Sequence, residues 1–122
     1  MAFLMRTNMI LSRARGAVEV GKVYTGDLVK AVHHQRYARV LFQKGEYLKA
    51  IHHSYRARLL AFAAIKANKG EIANNMQLMK EEQPLIKNQP EPSVLDKEVI
   101  IPKGADDKSV LKEKEEEPNN SN

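Results

Sequence analysis

The chain has 122 residues, 43% apolar and 29% charged, which suits one small domain with a tail and excludes a collagen-like or wholly disordered polymer. It contains no Cys and no Trp, so disulfides, thiolate metal sites and a Cys nucleophile are excluded. The net charge of +5 hides a split: residues 1–70 carry 13 Lys and Arg against 3 acids, whereas residues 71–122 carry 7 Lys against 12 acids. All the Arg and His lie in the first part, and all 5 Pro in the second.

Residues 1–26 read as a basic N-terminal helix, centred on Thr7 to Tyr24. Met9, Ile10, Ala14, Ala17, Val18 and Val20 form its broken apolar stripe. Gly16 and Gly21 weaken it by about 1 kcal/mol each relative to Ala. Arg6, Arg13 and Arg15 interrupt any signal-peptide core, although an acid-free basic start also suits organellar targeting. No run of 18 apolar residues occurs, so no transmembrane segment is expected, and the expected compartment is the cytoplasm.

Residues 27–70 read as a helical hairpin. Thr25 or Asp27 is the expected N-cap. Ala31, His34, Ala38 and Leu41 recur at spacings of three and four on one helix face. Gly45 suits the turn that follows. From Glu46 to Asn68, Ala50, Ala57, Ala61 and Ala64 make a narrow stripe of small residues beside a bulkier one of Leu48, Ile51, Tyr55, Leu59 and Phe62. Two stripes imply two packing neighbours. Ala38, Leu41, Ala50, Ala57 and Ala61 form the expected packing seam.

Residues 71–83 read as a short helix or linker, with Ile72, Met76 and Met79 on one side. Residues 84–122 read as a disordered acidic tail, because five Pro and a charged, polar end leave little to bury. The expected fold is therefore all-α: a small helical hairpin or three-helix arrangement followed by a disordered tail.

Within residues 31–62 the order of residues carries a resemblance. Ala38 is followed by Leu41, then by Gly45 and Tyr47 in the turn, then by Ala50, Ser54 and Ala57 along the second helix. This stretch resembles a single tetratricopeptide (TPR) helix–turn–helix repeat. Phe62 departs from the pattern, standing where the family usually ends the helix with Pro. His34 also departs, standing where a bulky apolar residue is usual. No second copy follows at a 34-residue period. The resemblance implies a scaffold that binds other proteins rather than an enzyme, and one repeat carries over no peptide-binding residues.

The four His form two adjacent pairs, His33-His34 and His52-His53. In a hairpin turning near residue 44.5 the pairs lie within roughly 3 Å of level along the axis. His34 and His53 can point into one seam. One reading is a transition-metal site drawn from His34, His53, His33 and His52. The other is a packed polar pair bonded to Tyr37 or Tyr55 or to each other, with no acid expected nearby. Arg36, Arg39, Lys44, Lys49, Arg56 and Arg58 form a basic region suited to nucleic-acid phosphates or another anion, or else simply a solvated face. No catalytic motif is present, and no catalytic residue, cofactor or small-molecule substrate is expected. The leading expectation is a non-catalytic protein–protein interaction or assembly module, by self-association or with another protein. Nonspecific nucleic-acid or polyanion binding is the first alternative, and His-based metal binding the second.

Overall fold

The computed structural model describes residues 2–113. Helices α1 (Ala2–Gly21), α2 (Asp27–Gln43) and α3 (Tyr47–Ala67) make the framework, and no strand occurs among the described residues. The fold is all-α. Two short 3₁₀ segments follow, Asn74–Met76 and Lys80–Ile86, and then two brief helices, α4 (Pro92–Lys97) and α5 (Asp107–Lys112).

The α2–α3 hairpin forms where the small residues allow two backbones to approach. Ala31, Ala38, Ala50, Ala57, Ala61 and Ala64 are all buried, as is Leu41. Gly45 turns the chain with φ +84°, a conformation that costs glycine little. The Gly45 amide donates to the Phe42 carbonyl and the Glu46 amide to the Leu41 carbonyl, so the last carbonyls of α2 are satisfied. The bulkier stripe of α3 is not buried as one face: Ile51 is buried, Tyr55 and Phe62 are half-buried, and Leu48 and Leu59 are exposed, while α1 packs on Leu60 and Ile65 beside the alanines. Ile10, Leu11, Ala14 and Val18 of α1 share one apolar cluster with Leu28 and Val32 of α2 and with Ala57, Leu60 and Ile65 of α3. At the closed end of the hairpin, Phe3 and Leu4 join Leu41, Ala50 and Ile51 in a smaller cluster.

That second cluster explains why α1 begins at Ala2 rather than near Thr7. Burying Phe3 and Leu4 rewards an early start, and each such side chain contributes about 1.5–3 kcal/mol. The helix ends at Gly21 instead of Tyr24. Asn68 sits so close to Gly21 that an added Cβ would collide with the Asn68 side chain. The Asn68 side chain accepts from the Val23 amide at 2.8 Å and donates to the Val23 carbonyl at 3.0 Å.

Residues 71–83, expected as a short helix or linker, hold no α-helix: Met76 is buried by a single 3₁₀ turn, and a second 3₁₀ segment begins at Lys80. One expectation for the second half needs correction, because the chain is not disordered from residue 84. Residues 84–113 lie against the helices, with Leu95 and Val110 buried. Pro92 starts α4 where no amide partner is required. Asp106 and Ser109 cap α5 reciprocally, the Asp106 carboxylate accepting from the Ser109 amide at 2.8 Å. The rest of the expected disordered tail, residues 114–122, lies outside the described residues.

Candidate functional site

The α2–α3 seam changes character at its middle. Ala31 and Ala38 flank His34 on α2, and Ala50 and Ala57 flank His53 on α3, so the two imidazoles replace apolar contacts between alanines. Both are buried, His53 completely. Their rings stack with centroids 5.2 Å apart, and the two Nδ1 atoms lie 3.0 Å apart in a hydrogen bond. The level placement expected from the hairpin is therefore what the structure has. Of the expected tyrosine partners, Tyr37 meets His53 through its ring edge, at a centroid distance of 4.8 Å. Tyr55 packs instead against the Phe3–Leu41 cluster.

The outer nitrogens overturn the expectation that no acid lies nearby. His34 Nε2 is 3.0 Å from Asp96 Oδ1, and His53 Nε2 is 2.8 Å from Glu98 Oε1. Both acids belong to the segment expected to be disordered. Arg56 grips Asp96 with two bonds, Nε to Oδ1 at 2.8 Å and a terminal nitrogen to Oδ2 at 2.9 Å. Four side chains thus form a line, Asp96, His34, His53 and Glu98. A cavity of about 120 Å³ lined by Lys30, His34, Asp96, Val99 and Ile101 borders its Asp96 end.

Burial dominates the electrostatics of the rings. It disfavours the imidazolium of His34, and the neighbouring His53 adds to this, so His34 is lowered to about 4 although Asp96 opposes the shift. Burial also lowers His53 against the pull of Glu98, and lowers His52 against a backbone bond to Leu85. Asp96 is lowered as well, but for a carboxylate this favours the charge: the Arg56 bonds stabilise its carboxylate more than burial penalises it.

Among the described residues, no group of three or more His, Asp or Glu side chains is placed to hold a metal ion. The geometry shows why. The inner nitrogens face each other, and the outer ones turn to separate carboxylates, so the four groups do not converge on a point. His33 is half-buried and His52 buried, and no bond in the line involves either.

The six basic candidates do not form one free face. Arg58 is 1% exposed and belongs to the interior. Its guanidinium donates to both Glu82 oxygens at 2.9 Å, to Thr7 Oγ1 at 2.7 Å and to the Phe3 carbonyl at 2.9 Å, and it lies 3.7 Å from the centre of the Phe3 ring. Arg6 holds the same carboxylate at 3.0 Å. Burial alone would raise Glu82, but the bonds from Arg58, Arg6 and the Met79 amide outweigh it and bring it down to about 2. Arg56 is taken by Asp96, and Arg36 by Glu113 at 2.6 Å. Arg39 is half-buried and engaged, while Lys44 and Lys49 are exposed.

Asp107 was not singled out from sequence, yet it is 2% exposed and caps a helix to which it does not belong. Its carboxylate accepts from the Gly26 amide at 2.8 Å and the Val29 amide at 2.9 Å. It satisfies the N-terminus of α2, a role expected of Thr25 or Asp27, which instead bond each other at 2.9 Å. Arg15 adds a bond to the Val110 carbonyl. The opposite charges of the two halves were the one sequence signal for these contacts.

Comparison of the chain with protein-family models, with curated proteins and with solved structures finds no match. Functional inference therefore rests on the chemistry of the chain itself. No helix among the described residues is long and apolar enough to cross a membrane.

Proposed function

We propose that the chain is a small, non-catalytic helical module for protein–protein interaction or assembly, acting in the cytoplasm, with a tetratricopeptide-like hairpin as its scaffold. The observation that carries this reading is the apolar surface at the closed end of the hairpin. Met5 near the start of α1, Val40 near the end of α2, and Tyr47 and Leu48 at the start of α3 are between 44% and 55% exposed. Large apolar side chains gathered at one end of a small protein mark a surface that another chain covers. The polyanion reading has less support, because Arg36, Arg56 and Arg58 already hold the chain's own acids.

The test compares the wild type with a Tyr47→Ser/Leu48→Glu variant in light scattering and in affinity capture. The proposal expects a defined dimer or a specific protein partner for the wild type and its loss in the variant, with helical circular dichroism unchanged. A monomer that captures the same proteins with or without the two substitutions would overturn it.

A further inference from the structure

The line from Asp96 to Glu98 contains three consecutive short contacts, at 3.0, 3.0 and 2.8 Å. Each needs a hydrogen between its two heavy atoms. Two neutral imidazoles bring one N–H each, which makes two. Two ionised carboxylates bring none. The line is therefore one proton short as long as both rings are neutral and both acids ionised.

The place of the missing proton follows from the partners. Arg56 holds Asp96 as a carboxylate through a two-bond fork, so the His34 Nε2 must be the donor in that contact. With its hydrogen on Nε2, a neutral His34 presents a bare Nδ1. The His53 Nδ1 then donates to it. The His53 Nε2 is left facing Glu98 Oε1 at 2.8 Å, lone pair against lone pair.

We propose that the Asp96–His34–His53–Glu98 line binds one additional proton, shared between His53 Nε2 and Glu98 Oε1, and that this proton latches residues 92–113 onto the α2–α3 hairpin. Protonation forms the third hydrogen bond and breaks none. It leaves two negative charges and one positive among the four groups, which Arg56 brings to zero. Burial taken for His53 alone lowers it, but the cluster as a whole is neutral only with the proton in place, and a neutral cluster is the arrangement that a largely buried site tolerates best. Removing the proton places a carboxylate against a bare ring nitrogen and releases Glu98.

The groups facing the two rings are Asp96 and Glu98 from the C-terminal segment, Arg56 and Lys49 from α3, and Lys30 and Tyr37 from α2. The Glu98 carboxylate is about one-third exposed and so exchanges its proton with solvent directly.

Linkage gives the proposal a distinctive sign. Near pH 7.5 the unfolded chain holds two protons on these four groups, and the folded line holds three. Near pH 5.5 the unfolded chain holds four, because both His charge below about 6.5. Stability then falls on both sides of a maximum near pH 6.5. Urea unfolding of the full chain should show the folding equilibrium constant dropping by up to about tenfold per unit between pH 7 and 8.5. Glu98→Gln supplies the third hydrogen from its amide, so this alkaline loss should vanish while the acid loss stays. A wild-type constant that is flat or rising over that range, or a Glu98→Gln variant with the same loss, would overturn the proposal. Ring-nitrogen-edited NMR of the wild type at pH 7 provides a second readout, free of any effect of substitution. Three protected labile protons on the four groups are expected, and two would refute the latch.

Discussion

The seam between α2 and α3 and the contact between the hairpin and the C-terminal segment hold the protein together by opposite means. The seam is lined by alanines and is mostly dry. The C-terminal contact is built from charge: Asp96 on Arg56 and His34, Glu98 on His53, Asp107 on the amides of α2, and Glu113 on Arg36. Only Leu95 and Val110 contribute buried apolar side chains from α4 and α5. The difference is one of robustness: the alanine contacts of the seam respond to shape and are indifferent to pH, whereas the charged contact, with the two histidines it meets in the seam, responds to the protonation and identity of single groups.

The largest effect should come from neither seam but from the buried pair that links α1, α3 and the 3₁₀ segment. Arg58→Ala leaves Glu82 buried with Arg6 and the Met79 amide alone and should cost about 3–5 kcal/mol in urea unfolding. A loss below about 1 kcal/mol would mean that Glu82 escapes to solvent. Ala57→Leu tests the dry seam. It should overpack the helices at about 1–3 kcal/mol, with the same cost at pH 5 and pH 7. An unchanged melting temperature would remove that face from the seam.

Asp107→Ala strips a cap from α2 and should cost about 1–2 kcal/mol. Hydrogen exchange should accelerate first at Gly26 and Val29, and uniform protection there would contradict the cap. Acid should act on the charged contact and spare the alanines. His34 is lowered in the folded state, so its stabilisation is complete above about pH 6.5 and is lost as pH falls from there toward 4. The loss should approach roughly 1.4 kcal/mol per pH unit, and calorimetry of His34→Gln should show a smaller acid slope. Glu82 adds a second loss between about pH 4.5 and 2, by the same sign for a lowered carboxylate. The smallest effect belongs to Arg36→Ala. Its partner Glu113 is half exposed, so less than about 1 kcal/mol is expected.

The two contacts also differ in how far they could be read from sequence. Ala50, Ala57 and Ala61 announce a close helix contact through their spacing, and the hairpin turn at Gly45 then places His34 beside His53. Spacing is a local signal, and both results survive in the structure. Asp96, Glu98 and Asp107 meet partners 40 to 81 residues away. Nothing in their own neighbourhood marks them, because α4 and α5 have six residues each and are too short to form alone. Their order comes from the hairpin that they dock on. The charge split between the halves foretold attraction without its register, and Pro-rich composition argued for disorder where two prolines in fact sit at or within helical turns.

Equilibrium urea unfolding of the chain shortened at residue 90 tests most directly whether the C-terminal segment belongs to the fold. A dispensable tail would leave the unfolding midpoint and the helical signal per remaining residue as they are. The structure predicts a lower midpoint, because the cap on α2 and both acids on the histidine pair are removed together. It also predicts that the acid dependence assigned to the His34–Asp96 contact changes with them. A truncated chain with the full-length midpoint and the full-length pH profile would contradict the account.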